Sequence, residues 1–172
     1  MSFDLQPILG VTRLTLRPMR PDDFDELYAI ASDPLIWELH PDRTRYQRDV
    51  FRRFFDAGIE CGGALVALDA RDGRIIGTSR YNHYKPEESE IEIGWTFLAR
   101  AHWGGTYNRE MKDLMLRHAF THVRTVVFFV GLDNWRSQRA LEKIGVERIA
   151  PARNARGRES AVFRITADRW PF

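Results

Sequence analysis

The sequence is poor in cysteine and lysine and has no long apolar run. Cys61 is the only cysteine in 172 residues, so no intrachain disulfide can form, which suits a reducing compartment. No purely apolar stretch is longer than residues 126–130, which are far too few to cross a bilayer. Residues 1–10 lack a basic start followed by an apolar segment, so they do not read as a secretory leader. The chain is therefore expected to be soluble and cytoplasmic, with no membrane partner. Only Lys85, Lys112 and Lys143 are lysines, and the formal charge is +2. The arginines are scattered among acids, which argues against a nucleic-acid-binding surface and against an acidic tail. Neither the dinucleotide fingerprint G-x-G-x-x-G nor a P-loop Gly-Lys-Ser/Thr is present. His118 and His122 are four apart, as metal ligands can be. They lack a His-Glu-x-x-His pattern and a third ligand, so no metal is expected.

What is present suffices for one core. A 44% apolar content can fill a domain of this size without metals or disulfides, and no linker, repeat or low-complexity tract divides residues 1–172. Residues 11–17 alternate with Leu14 and Leu16 on one face, predicting a strand. Pro21-Asp22-Asp23 opens a helix with Phe24, Leu27, Tyr28 and Ala31 on one side, and Ser32-Asp33-Pro34 ends it. A second helix is expected over 45–57, with Val50, Phe51, Phe54 and Phe55 on its apolar side. Residues 64–69 and 74–84 are strand-like and joined through Asp72-Gly73, a hairpin signal. Residues 90–98 alternate, which puts Ile91, Ile93, Trp95 and Phe97 on one face and Glu90, Glu92, Gly94 and Thr96 on the other.

A helix is expected from Trp103-Gly104-Gly105 to about His122, with Met111, Leu114, Met115 and His118 in a stripe. Residues 125–130 read as a strand covered on both faces. Asn134 caps a further helix closed by Gly145, and residues 160–166 form the last strand. The order predicts an α/β sandwich with one parallel pairing near its middle.

Chemistry concentrates in two segments. After the strand of residues 90–98 comes Trp103-Gly104-Gly105-Thr106-Tyr107-Asn108, opening a helix. Adjacent glycines at a helix start let backbone N–H groups approach a phosphate, with Arg100 and Arg109 available as full charges. The pair by itself reads better as an ordinary tight turn. The second segment is Asn134-Trp135-Arg136-Ser137 through Glu142-Lys143-Ile144-Gly145.

Taken together, these segments resemble the Gcn5-related N-acetyltransferase (GNAT) family, in particular its ribosomal-protein N-terminal acetyltransferase branch. The family's strand signature reads here as Ile93-Gly94-Trp95. Its coenzyme turn, Gln/Arg-x-x-Gly-x-Gly/Ala, reads as Ala101-His102-Trp103-Gly104-Gly105-Thr106, and the second signature is met at Asn134, Ser137, Glu142, Lys143 and Gly145. Ala101 and Thr106 depart from the pattern, and Leu141 stands where many members carry a tyrosine general acid.

The resemblance implies an α/β (α+β) fold, a mixed and mostly antiparallel sheet of six to seven strands with helices on both faces. It also implies acetyl-coenzyme A as co-substrate, with its pantetheine arm between two parallel strands that splay apart at the centre. Backbone groups of Phe97 and Leu98 would meet the pantetheine. Amides over Gly104, Gly105, Thr106, Tyr107 and Asn108 would meet the pyrophosphate, with Arg100 and Trp103 beside them. Asn134, Ser137 and Arg139 would line the thioester edge.

An amine attacking a thioester needs a base, a donor to the oxyanion and a proton for the thiolate. Glu92 is the candidate base, the alternative being that Glu90 and Glu92 merely line a solvated face. Ser137 is the candidate donor, the alternative being a helix-cap neighbour or coenzyme contact. Trp37, His40, Tyr81, His83 and Trp135 are candidates for the acceptor cleft, each otherwise a packing residue. Cys61 reads as an ordinary core thiol rather than an acyl carrier. The expected function is acetyl transfer to a primary amine, small molecule or protein N-terminus. The alternative is an acyl-coenzyme A sensor or assembly subunit without turnover. A homodimer stays open.

Overall fold

The computed structural model describes residues 3–10 and 12–170. One eight-stranded sheet runs in the order β1-β2-β3-β4-β5-β6-β8-β7. Its strands are β1 (Leu9–Gly10), β2 (Leu14–Pro18), β3 (Ala64–Asp69), β4 (Ile75–Lys85), β5 (Glu90–Leu98), β6 (Thr125–Gly131), β7 (Glu147–Arg153) and β8 (Glu159–Thr166). Four α-helices join them: α1 (Phe24–Ala31), α2 (Arg48–Glu60), α3 (Tyr107–Phe120) and α4 (Trp135–Lys143). Every neighbouring pair is antiparallel except β5 and β6. The mixed sheet with one parallel pair therefore stands, with two strands more than the six read directly along the chain. No helix among the described residues is long and apolar enough to cross a membrane.

Two cores flank the sheet. On one face Phe51, Phe54 and Phe55 of α2 pack with Phe24 and Leu27 of α1 against Val66, Ile75 and Phe97. The i, i+3, i+4 spacing of the phenylalanines makes this face, and each ring contributes roughly 1.5–3 kcal/mol on burial. On the other face Met111, Leu114 and Met115 of α3 cover Leu16, Leu65, Ile91, Ile93 and Leu98. The Asp72-Gly73 hairpin is present, with Gly73 at φ +73°. Asn134 caps α4, its Oδ1 accepting the Ser137 N–H at 3.3 Å, and Gly145 past its end has φ +85°.

Four expectations need correction. The first strand starts at Leu14, and Val11 lies outside the described residues. The second helix begins at Arg48, which leaves Arg45 in the preceding loop. The third begins at Tyr107, so residues 103–106 form a free-standing turn.

The fourth concerns β5, whose simple alternation breaks. Thr78 pairs with Phe97 but Arg80 with Gly94, so the strand holds one extra residue there, a β-bulge. Trp95 takes φ +52°, a conformation uncommon for a bulky residue. Ile91 and Ile93 consequently face α3, while Phe97 and Trp95 face α1 and α2. Glu92 stays opposite the isoleucines, as expected, but Thr96 turns toward α3, where its hydroxyl meets Lys112.

Candidate active site

The parallel pairing of β5 with β6 covers only Glu90↔Thr125, Ile91↔Val126 and Glu92↔Val127. Beyond Glu92 and Val127 the strands part. Residues 93–98 and 128–131 then form the walls of a cleft of about 270 Å³, closed by the 102–105 turn, α3, α4 and the loop carrying Trp37 and His40. The bulge at Trp95 carries β5 away from the ladder, which is what opens the gap.

At one end lies the phosphate-type turn. Gly104 has φ +71°, and a Cβ added at Gly104 or Gly105 would meet nothing within 4 Å, so the backbone is bare toward solvent. The amides that open α3 have no intrahelical acceptors and sit at the positive end of its dipole. Trp103 anchors the turn by donating Nε1–H to the Leu98 carbonyl at 2.9 Å, and Arg136 stacks on its ring at 4.2 Å. The charged and titratable groups that line the cleft, among the described residues, are His40, Arg45, His102, Lys112 and Arg136. All are nitrogen bases, and of these His102 and Arg136 belong to the turn end. The bare turn and the free amides fit a coenzyme A pyrophosphate.

At the other end Trp37 donates to the Ala31 carbonyl at 2.7 Å and packs edge-on to Phe97. The His40 Nδ1 accepts the Asp42 N–H at 2.9 Å. Burial, reinforced by the Arg45 charge, pulls its pKa down to about 3, so the imidazole is neutral. Arg45, missed in the sequence, is buried among Trp37, Phe54 and Asp42, and burial lowers it to about 10. Arg158 reaches Asp42 from the β7–β8 hairpin at 3.3 Å, and Arg136 reaches Glu38 at 2.8 Å. These bridges tie the loop to the opposite wall.

Of the sequence candidates, Trp37, His40, Phe97, Leu98, Trp103, Gly104, Gly105, Asn108, Asn134 and Ser137 line this one cleft. Glu92 is 7% exposed and sits beside it, its carboxylate 3.8 Å from where a Gly94 Cβ would stand. Its Oε2 lies 2.6 Å from His83 Nδ1. Burial raises the Glu92 pKa, with His83 opposing. His83, at φ +48°, packs against Trp95.

Six candidates lie elsewhere. Tyr81 is fully buried in the α3-side core and donates to the Met115 carbonyl at 2.7 Å. Arg100 pairs with Asp33. The Thr106 hydroxyl accepts from Arg13, and the Tyr107 hydroxyl donates to Asp69, although their amides still open α3. Trp135 is exposed and stacks with Arg139 on the outside of α4.

Lys112 was also missed. It continues a helical stripe with Met115, Leu116 and Ala119 at i+3, i+4 and i+7, all buried, a signal readable in the sequence.

The sequence model of the acetyltransferase (GNAT) domain matches residues 13–147. A relative from Bacillus licheniformis, described as an uncharacterized N-acetyltransferase, p20, is 30% identical over 118 residues, 66% of each chain. Among solved structures, a GCN5-related N-acetyltransferase from Brucella melitensis superposes with a TM-score of 0.81 at 20% identity, covering 96% of this chain and 81% of that one. Mycobacterium smegmatis RimJ, solved in complex with CoA-disulfide, gives 0.73 at 19% identity over 96% and 90%. The splayed pair, the bare turn before α3 and these likenesses agree that the chain belongs to the GNAT acetyltransferase family and is an acyltransferase.

Proposed function

We propose that the protein is an acetyl-CoA-dependent N-acetyltransferase in which a primary amine attacks the coenzyme thioester directly. The observation that carries this reading is the cleft between the parted β5 and β6, with a bare Gly104 turn at one end and a buried carboxylate, Glu92, next to Gly94 on its wall. The amides around Gly104, Gly105 and Asn108 hold the pyrophosphate, and the backbone at Phe97 and Leu98 pairs with the pantetheine. The coenzyme supplies the activated acyl carbon. Asn134 and Ser137 border it from α4. Trp37 and His40 shape the acceptor side.

Glu92 takes the amine proton, directly or through water. Burial moves it toward the pKa a base needs near neutrality, and His83 orients it. The acceptor is a small-molecule amine or a protein N-terminus.

The test is a melting curve with acetyl-CoA against dephosphorylated pantetheine. A ligand at a hundred times its Kd adds about 2.7 kcal/mol, roughly 5–10 °C for a chain of this size. Thiol release with small amines and with peptides in turn then separates the acceptor classes. No melting shift with the coenzyme would remove the basis of the proposal.

A further inference from the structure

Lys112 is the one lysine in the cleft, and it is 4% exposed. Its Nζ lies 2.5 Å from Thr96 Oγ1 on β5 and 3.3 Å from Ser79 Oγ on β4. On the other wall it stands 5.6 Å from the centre of the Phe128 ring on β6. Thr96 and Phe128 both lie past the last paired residues, Glu92 and Val127. The side chain therefore spans the floor of the gap just beyond its apex.

An ammonium has three N–H bonds. Thr96 and Ser79 account for two of them, and no third protein acceptor or carboxylate meets Nζ among the described residues. A buried charge with no counterion, lining a cleft, is a costly feature unless something in the cleft uses it.

The remaining bases of the lining do not offer a proton at this point. Arg45 and Arg136 carry guanidinium groups, which hold their protons. His40 is neutral. His102 belongs to the turn before α3 and faces Asp69, at the phosphate end. No tyrosine lines the cleft among the described residues, and α4 presents Leu141 and Ser137. The Ser137 hydroxyl, the donor expected from the sequence, is a far weaker acid than a thiol and would have to be reprotonated as it gave up its proton.

We propose that the Lys112 ammonium gives its proton to the coenzyme sulfur as the thioester breaks. This rests on the acetyl-transfer reading above. The amine nitrogen forms the C–N bond, the C–S bond breaks, and its electron pair goes to sulfur. Lys112 supplies the proton that completes the thiol, and Glu92 takes the surplus proton from the new amide nitrogen. Lys112 regains a proton from solvent, and Glu92 loses one to it, when the thiol leaves. The products are an amide and a thiol, and the enzyme returns unchanged.

The energetics agree. Burial alone pulls Lys112 down to about 7, below even a cysteine thiol at about 8.5, so the transfer runs downhill. The groups facing Nζ from β4, β5 and β6 are hydroxyls and a phenyl ring. On α3 itself Asp113 is engaged by Arg117, and Glu110 lies near Arg13.

With only three lysines in the chain, lysine labelled at ¹³Cε gives three titrating signals, and the Lys112→Met variant identifies the one of interest. The expected result on the wild-type chain is a midpoint near neutrality that CoA shifts and desulfo-CoA, identical but for the thiol, leaves in place. Equal effects of the two ligands, or a midpoint above about 9, would overturn the proposal. Absence of any melting shift with either ligand would instead sink the coenzyme reading on which it rests. As a kinetic companion, Lys112→Met should lower kcat more than tenfold and remove the alkaline fall of the pH profile. Lys112→Arg, which keeps charge but not a transferable proton, should be equally slow. Full activity of the arginine variant would show that charge alone is needed and defeat the proton-donor role.

Discussion

Replacing Lys112 with methionine should make the protein more stable, by an amount that depends on pH. Burial moves the ammonium from an ordinary 10.5 to about 7. At 1.36 kcal/mol per unit this is on the order of 5 kcal/mol spent in bringing the side chain into the fold at neutral pH. Methionine has a similar length and needs no hydrogen bond. The hydroxyls it leaves behind still satisfy each other, since Ser79 Oγ and Thr96 Oγ1 are 2.8 Å apart. Allowing for relaxation around the site and for the hydrogen bonds lost, the variant should gain about 2–4 kcal/mol at pH 7. That is on the order of 5–15 °C in Tm for a chain of this length.

The sign with pH follows from linkage. The folded-state pKa is the lower one, so between about pH 7 and 10.5 the unfolded chain binds more protons than the folded chain. Wild-type stability therefore rises with pH through that window, and the variant lacks this rise. The gap should be widest at or below pH 7 and close toward pH 10. Urea denaturation of both proteins at several pH values measures it. A gap independent of pH, or a variant less stable than wild type at pH 7, would refute the reasoning.

Three further outcomes are expected. Glu92→Gln should keep the melting shift with acetyl-CoA and lower turnover more than tenfold at neutral pH. It should also abolish the acid-side loss of activity, which in the wild type lies above an ordinary glutamate pKa because burial raises it; unchanged turnover would take Glu92 out of the base role. Gly104→Val forces a β-branched residue to φ +71° and puts methyl groups where the phosphate must approach. Calorimetric titration should show weakened coenzyme binding, against a stability loss of only about 1–2 kcal/mol. Gly77→Ala would place a Cβ 2.1 Å from the Phe97 carbonyl oxygen, prising β4 from β5 next to the bulge. A loss of about 3 kcal/mol in urea is expected, and near-wild-type stability would contradict the register of those strands.

The elements that could be read from the chain are those whose periodicity coincides with burial. The phenylalanines of α2, the Asn134 cap and the unbroken apolar run of β6 each carry their structural cause in local sequence. Strand β7 does not. All seven of its residues are exposed and one is Pro151, so no buried face imposes alternation on them. The β5 bulge was hidden for the opposite reason. Ile91, Ile93, Trp95 and Phe97 alternate perfectly on paper, and the slip is dictated by the pairing with β4, which no window of β5 contains. The same slip decides the site, because it sends Thr96 to Lys112 and Phe97 to Trp37.

Lys112 shows why a site can be visible in a sequence and still be passed over. A single lysine in a helical apolar stripe ordinarily snorkels, its stem covered and its ammonium in water. Here the second turn of α3 lies over the sheet where β5 and β6 part, and the Nζ stops at Thr96 and Ser79. Ordinary packing would fill that place with methionine or leucine, as the neighbouring Met111, Leu114 and Met115 do. A fold that carries a desolvated ammonium there gives up stability that a conservative change would restore. A stabilising substitution that also removes the alkaline limb of turnover is the signature of a residue held for chemistry, and stability and activity moving in opposite directions in one variant would tie both observations to the same proton.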